Sequence, residues 1–224
     1  PGTRGTRGAR GAPGPCREVR VAIDSDFEWT HERFGGNADA AAEYAVFLIA
    51  AVSEIYEREV NARLVVPYLR TFSQNIDPYA PLRNAAGELS PDPLDQVRVH
   101  WRETMPHIDR ELVHLLTGMD TTYGGVAYLS TVCSRQWGYG VSGYLSGSFP
   151  YPLQDSNASN WDLYVVAHEI GHNFGTLHTH DGYSPPIDNC GIDCSGNTHG
   201  TIMSYCHGCP GGMLNIDLRF HPLV

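Results

Sequence analysis

The fold is decided by the segment His168-Glu169-Ile170-Gly171-His172-Asn173-Phe174-Gly175-Thr176-Leu177-His178. On a helix, His168 and His172 lie one turn apart on the same face, so both imidazoles can bind one metal ion. Glu169 can reach a water at that ion without being a ligand itself. Gly175 allows a backbone conformation that ends the helix and brings His178 round as a third ligand. Three protein nitrogens leave one coordination position open, which is typical of a catalytic zinc site.

The residues before this segment predict the helix that carries it. Apolar side chains precede His168 at the spacing of a buried helix, which we expect over 161–174. Ser159-x-x-Asp162 is a candidate capping box at its start. The alternative is a buried helix with incidental histidines. It is disfavoured because burying unpartnered polar groups costs several kcal/mol, roughly 2–7 per group.

The zinc motif, with a candidate Met-turn at Gly200-Thr201-Ile202-Met203-Ser204-Tyr205, resembles the metzincin clan of zinc endopeptidases. The resemblance implies an α/β (α+β) fold with a twisted sheet, long helices and a small irregular C-terminal subdomain. It also implies that Met203 forms an apolar floor beneath the three imidazoles. The expected activity is hydrolysis of peptide bonds by a zinc-bound water, with Glu169 as general base and then general acid.

Two further segments are similar to the adamalysin (reprolysin-like) branch. Residues 111–118 and 125–133 look like its third and fourth strands, and the likeness extends over most of the chain. Tyr205, two residues after the methionine, departs from that branch and is typical of astacins and serralysins. There the hydroxyl can be a fifth ligand that swings away to stabilise the transition state. For Tyr205 this role and simple lining of the pocket stay open.

The resemblance also locates the substrate. An extended peptide is expected to pair with an edge strand beside the cleft, formed by Gly125, Val126, Ala127, Tyr128 and Leu129. Residues 205–215 are expected to form part of the wall of the pocket beyond the scissile bond. Such a strand favours protein or peptide substrates over small molecules.

Periodicity and turn residues predict the other elements. We expect strands at 19–23, 62–68, 111–116 and 125–132, helices at 38–58, 94–105 and 161–174, and loops at 75–93 and 133–160. The composition of residues 1–15 predicts a flexible tail. The metzincin resemblance implies that residues 16–224 form the catalytic domain, with an upper subdomain at 16–175 and a lower one at 176–224. The tail repeats Gly at every third position, as collagen does. Five triplets are too few for a stable triple helix, so a flexible, basic tail is favoured. A spacer or the remnant of a pro-segment fits such a tail equally well.

Composition excludes several classes of protein. The chain has 224 residues, 15 basic residues that are all Arg, and 25 acidic ones, for a net charge of −10. Such an acidic chain argues against nucleic-acid binding. Its most apolar stretch, 38–52, is too short and too charged to span a membrane. We expect a monomeric protein.

Six cysteines predict disulfides and therefore a secreted, extracellular protein. Four of them cluster near the C-terminus, where a four-thiolate zinc site is the alternative to disulfides. Six cysteines allow 15 disulfide pairings, and the sequence does not choose among them. Cys16 is more readily explained by a disulfide than by a switch that caps the zinc ion.

Weaker signals concern a second metal and the remaining histidines. Glu18 and Glu111 fall where adamalysins place Ca²⁺ ligands, but no C-terminal ligands are recognisable. Four histidines near the motif are expected at the surface or behind the ligands, namely His180, His199, His207 and His221.

The leading hypothesis is a zinc-dependent endopeptidase. One alternative is a catalytically silent binding or adhesion module with a metzincin fold, against which the presence of Glu169 counts. A metalloenzyme that acts on a non-peptide bond is a third interpretation, disfavoured by the predicted edge strand.

Overall fold

The computed structural model describes residues 17–80, 92–119, 121, 124–196 and 198–224. The predicted tail, Cys16 and most of the predicted loop at 75–93 lie outside these ranges. The described elements are, in chain order, β1 (Arg17–Ser25), α1 (Phe27–Phe34), α2 (Ala38–Val60), β2 (Ala62–Val65), β3 (Leu69–Thr71), α3 (Pro93–Thr104), β4 (Leu112–Leu116), β5 (Gly125–Ala127), β6 (Tyr139–Ser142) and α4 (Trp161–Phe174). Two short 3₁₀ turns follow, at Cys206–Gly208 and Gly212–Asn215.

The strands form a twisted mixed sheet in the order β2-β1-β4-β6-β5, with β3 pairing beside β1. All pairings are parallel except that of β5, which runs antiparallel to β6. β5 is therefore an edge strand of opposite direction to its neighbour. The predicted α/β class is confirmed.

Helices cover both faces of the sheet. The larger core packs α2 and α4 against one face, and the smaller core packs α3 against the other. Side chains of β4 alternate between the two cores: Leu112 and Leu116 enter the larger, Val113 and Leu115 the smaller. This burial on both faces explains why the residues of the strand other than His114 are apolar.

The chain around β5 differs from its prediction. The strand ends at Ala127 rather than at residue 132, because the chain turns there towards the end of α4. Ser130 N–H donates to His172 O, and Thr131 N–H donates to Asn173 O. The predicted loop at 133–160 contains β6, and the prediction was wrong for those four residues. Tyr139-Gly-Val-Ser142 is too short to stand out among glycines and serines.

The predicted α4 occupies residues 161–174, but its predicted capping box does not form. The N-cap is Asn160, which makes no side-chain capping bond. Asp162 instead accepts hydrogen bonds from Ser146 N–H, Gly147 N–H and the Tyr44 hydroxyl. Its carboxylate therefore holds the preceding loop and α2 against the helix.

Two disulfides hold the irregular C-terminal region together, Cys190–Cys206 and Cys194–Cys209. The disulfide interpretation is confirmed for these four cysteines, and the four-thiolate zinc alternative is wrong. Cys133 is exposed and has no disulfide partner within the described ranges. Of the helices in those ranges, none is both long and apolar enough to cross a membrane.

Candidate metal centre and cleft

The three predicted ligands converge at the C-terminal end of α4. Gly175, with φ of 104°, closes the helix by donating its N–H to His172 O. This left-handed conformation turns the chain so that His178 comes back to the helix, with its Nε2 3.0 Å from His172 Nε2. Donor atoms of His168, His172 and His178 all lie within 4.8 Å of one another.

Backbone carbonyls orient the first two rings. His168 Nδ1–H donates to Ile202 O at 2.6 Å, and His172 Nδ1–H donates to Thr176 O at 2.9 Å. In a neutral imidazole the other nitrogen then carries a lone pair. The Nε2 atoms of both rings are therefore acceptors, the state that a metal ligand requires.

This donor set fits Zn²⁺. Lone pairs on His172 and His178 face each other across 3.0 Å, which is unfavourable unless a cation lies between them. Two nitrogens bound tetrahedrally at about 2.0–2.1 Å are roughly 3.3 Å apart, close to that spacing. Burial lowers the pKa of all three imidazoles. Neighbouring histidines lower the pKa of His168 and His178 further, and the pKa of His178 falls to about 4. The rings are thus neutral near pH 7 and able to bind the ion.

Glu169 lies beside these ligands and is buried. Its desolvation raises the pKa of the carboxyl well above the usual range. Among the described residues, Oε2 has no hydrogen-bond partner. The backbone of Gly125 packs so closely against it that a Cβ at that position would overlap the Glu169 carboxyl group. The edge strand and the carboxyl group are therefore in direct contact.

Tyr205 and Met203 complete the surroundings of the three rings. The Tyr205 hydroxyl is 3.1 Å from His178 Nε2, and burial, aided by the charge of Glu169, raises its pKa to about 12. The hydroxyl is therefore protonated near neutral pH. Met203 is fully buried, and its sulfur packs against Gly171 of α4, beneath the helix that carries the first two histidines.

An open cleft of about 450 Å³ runs from the edge strand to the three histidines. The cleft is lined by Gly125, Val126, Ala127, Leu129, Glu169, His172, Leu177, His178, Asp181 and Tyr205. Tyr128 is the exception within the predicted strand. Its hydroxyl donates to Asp95 and accepts from Arg98, so its side chain is anchored to α3.

A second, smaller pocket of about 70 Å³ shares Gly125, Glu169 and Tyr205 with this cleft. Aromatic rings form most of its wall, among them Trp161, Tyr164 and His207. His207, predicted to lie behind the ligands, is part of this wall and not a ligand. The prediction that residues after the Met-turn contribute to a pocket wall agrees with this placement for Tyr205 and His207.

The other histidines and the predicted Ca²⁺ ligands have different partners. His199 Nε2 is 2.9 Å from Asp217, away from the three ligands. Glu111 accepts hydrogen bonds from the Arg20 guanidinium and the Arg20 backbone N–H. Because Arg20 already neutralises this carboxylate, the contacts give the Ca²⁺ prediction no support.

One polar group in the cleft was missed by the sequence analysis. Asp181 lies three residues after the last ligand, and its carboxylate faces both His178 and His180. No periodic pattern marks such a position in a loop. The only available signal was its short distance in sequence from His178.

Three neutral imidazoles with a buried carboxyl group beside them, at the end of a cleft bordered by an edge strand, define the class of metal-dependent hydrolases. The comparison with known families agrees. A model described as metallo-peptidase family M12 matches residues 16–215. The chain belongs to this family, whose members are zinc-dependent peptidases acting on proteins or peptides. The adamalysin branch and the role of Tyr205 stay predictions.

Among solved structures, the chain is similar in fold to one chain of a chaperone–substrate complex, with a TM-score of 0.50 and 13% sequence identity. The likeness covers 75% of this chain and 24% of the other, so this chain spans about a quarter of that protein's length. At such low identity the similarity concerns the fold alone. No curated protein matches the chain.

Proposed function

We propose that this protein is a secreted zinc endopeptidase that hydrolyses internal bonds of extended protein or peptide segments. The observation that carries the proposal is the convergence of His168, His172 and His178 within 4.8 Å, with Glu169 beside them at the cleft. Extracellular location is supported by the two disulfides, which persist in oxidising compartments.

His168, His172 and His178 would hold the zinc ion through nitrogen atoms, in line with their neutral state. When bound, Zn²⁺ would lower the pKa of a water molecule to about 7 and polarise the scissile carbonyl group. The carbonyl oxygens of Ile202 and Thr176 fix two of the rings, so little reorganisation is needed when the ion binds.

Glu169 is the proton carrier in this proposal. In its ionised form the side chain takes a proton from the attacking water, which converts it to the carboxylic acid, and then delivers that proton to the leaving amine, which regenerates the carboxylate. Its lack of a partner at Oε2 among the described residues leaves an oxygen for that water. Its apolar surroundings raise its pKa, which favours retention of the proton between the two transfers.

Tyr205 is proposed to stabilise the developing negative charge on the carbonyl oxygen. Its hydroxyl is protonated near neutral pH and lies at the edge of the three-histidine cluster, 3.1 Å from His178 Nε2. A hydroxyl at this position can donate a hydrogen bond to an oxyanion.

The edge strand supports the choice of an extended substrate. β5 pairs with β6 along one side only, as far as the described residues go, and Gly125, Val126 and Ala127 line the cleft. A peptide in extended conformation can pair with such an edge through its main chain. Tyr128 would contribute little to this pairing, because its side chain is held by α3 and its N–H donates to Tyr139 O.

The decisive experiment compares wild type with Glu169→Ala and Tyr205→Phe, using casein and a peptide library with cut sites mapped by mass spectrometry. We expect chelator-reversible cleavage by the wild type. Glu169→Ala should retain zinc and lose hydrolysis. Tyr205→Phe should retain zinc and KM while kcat falls about 10²-fold.

Three outcomes would each contradict a part of the proposal. Cleavage by Glu169→Ala at the wild-type rate would refute the proton-transfer role. A wild type that binds zinc and cleaves nothing would instead indicate a silent binding module. An unchanged kcat in Tyr205→Phe would restrict Tyr205 to lining the pocket.

A further inference from the structure

The three ligand histidines differ in what holds their second nitrogen. In His168 and His172, Nδ1–H donates to a backbone carbonyl at 2.6 and 2.9 Å. In His178, the group that faces Nδ1 is the carboxylate of Asp181, with Oδ1 3.7 Å away. In the described contacts, the second nitrogen of the third ring therefore faces a charged side chain and not a backbone carbonyl.

Local structure brings Asp181 back to this ring. Gly182 N–H donates to His178 O at 2.9 Å, which closes a turn over residues 178–182. The turn places Asp181 in the wall of the cleft. Its other oxygen, Oδ2, faces His180 Nε2 at 3.7 Å, and the His180 ring stacks on that of His178 with a centroid separation of 5.3 Å.

A distance of 3.7 Å is longer than a hydrogen bond, so the interaction is electrostatic in this conformation. The side chain of Asp181 is 61% exposed and is free to rotate towards the ring. At this distance the negative charge of the carboxylate attracts the Nδ1–H of the ring. A carboxylate so placed makes the opposite ring nitrogen a better electron donor.

We propose that Asp181 is the positioning residue for His178: its carboxylate accepts the Nδ1–H of that ring and so directs Nε2 towards the other two ligands. The inference rests on the metal site of the proposed function. Removing a group of this kind weakens metal affinity by about 10–100-fold in other metal sites.

The test is the dissociation constant of Co²⁺ and Zn²⁺, measured by competition with a chromogenic chelator, together with the Co²⁺ absorption spectrum. We expect Asp181→Ala to weaken binding 10–100-fold. Asp181→Asn should lie between Asp181→Ala and wild type, because its amide oxygen accepts a hydrogen bond without the charge. Asp181→Glu should recover part of the affinity.

The control variant is Asp193→Ala, which removes an exposed carboxylate from the same irregular region. In the described contacts this carboxylate accepts hydrogen bonds from Ser195 alone. It should bind the ions as wild type does. The melting temperature of each metal-free variant should stay within about 1 °C of wild type, which a merely structural role of Asp181 would not allow.

Three results would overturn the inference. The first is an equal metal affinity in wild type and Asp181→Ala. The second is a melting temperature of the metal-free variant that falls in parallel with its metal affinity. The third is a second equivalent of metal that binds to wild type and not to Asp181→Ala. The last would make Asp181 a ligand of another ion. If the wild type binds no metal at all, the proposed function fails instead, so the two failures are distinguishable.

Discussion

At Gly125, the absence of a side chain determines how the edge strand meets the Glu169 carboxyl group. A Cβ there would overlap Glu169, so any other residue at this position would have to displace the carboxyl group or the strand. In an active site, displacement of a catalytic group by about 1 Å can cost 10²-fold in rate. The requirement for glycine is therefore chemical as well as steric.

Gly125→Ala is expected to lower kcat by about 10–100-fold while zinc is still bound, because the new methyl group displaces Glu169 and leaves the three histidines in place. The measurement is steady-state cleavage of a fluorogenic peptide, with zinc content determined in parallel. Gly208→Ala is the control, since a Cβ at Gly208 would have no neighbour within 4 Å. Equal rates in the two variants would show that the strand yields without moving the carboxyl group.

At the scale of elements, one amide joins the end of α4 to the strands beside the cleft. Asn173 is buried, and its Nδ2 donates to Tyr128 O at 2.9 Å, to Tyr139 O at 3.0 Å and to Thr131 Oγ1 at 3.0 Å. Its neighbour in sequence is His172. The same contact therefore fixes β5 and β6 relative to a candidate metal ligand.

Asn173→Asp should destabilise the fold by about 2–4 kcal/mol, because a carboxylate would face two carbonyl oxygens in place of a donor. The measurement is urea unfolding monitored by tryptophan fluorescence. Asn37→Asp is the matched control. Asn37 caps α2 by accepting hydrogen bonds from backbone N–H groups through its Oδ1, and an aspartate oxygen can accept the same bonds. A loss below 0.5 kcal/mol at residue 173 would mean that the helix end is held by other contacts.

Asp26 makes folding depend on pH. It caps α1 and accepts hydrogen bonds from Trp29, Gly118 and Thr117, the last two beyond the end of β4. Burial nevertheless raises its pKa to about 7, whereas an aspartate in an unfolded chain titrates near 3.9. Between these values the folded state binds more protons than the unfolded state. Stability from this group is therefore lost as pH rises from about 4 to about 7.

Asp26→Asn cannot ionise and keeps a capping oxygen. Relative to wild type, it should become more stable as pH rises, with a gain on the order of 2–4 kcal/mol at pH 7.5 and little gain at pH 4. Urea midpoints across that range measure the difference. A difference independent of pH would show that the three hydrogen bonds keep Asp26 ionised in the folded state.

These elements also show what the sequence could and could not predict. α2 and α4 were predictable because their apolar positions repeat over many turns. β1 was predictable because β-branched residues alternate along residues 19–23, and β4 because it is apolar apart from His114. α1 has eight residues, β3 three and β6 four, too few for a periodic pattern. The ligand spacing was readable because a helix fixes it, whereas Asp181 depends on a turn whose geometry no local pattern encodes.

For the molecule as a whole, the candidate metal centre joins two regions that differ in how they are held. α4 is packed in the larger core, whereas the residues after Gly175 have little regular structure and two disulfides. His168 and His172 belong to the first region and His178 to the second. An ion bound by all three therefore connects the core to the C-terminal region.

Zinc should accordingly raise the thermal stability of the folded protein. A ligand that binds only the folded state adds about 4 kcal/mol to the free energy of unfolding when its free concentration is 1,000 times its Kd. For a chain of this size each kcal/mol raises Tm by about 2–4 °C, so chelation should lower Tm by about 8–16 °C. His168→Ala should melt at one temperature with or without chelator, while His31→Ala, at an exposed position of α1, should keep the full shift. If the chelator lowers the Tm of His168→Ala as much as that of wild type, the stabilising ion is bound elsewhere. If the chelator does not change the Tm of wild type, the C-terminal region is held by its disulfides and packing alone.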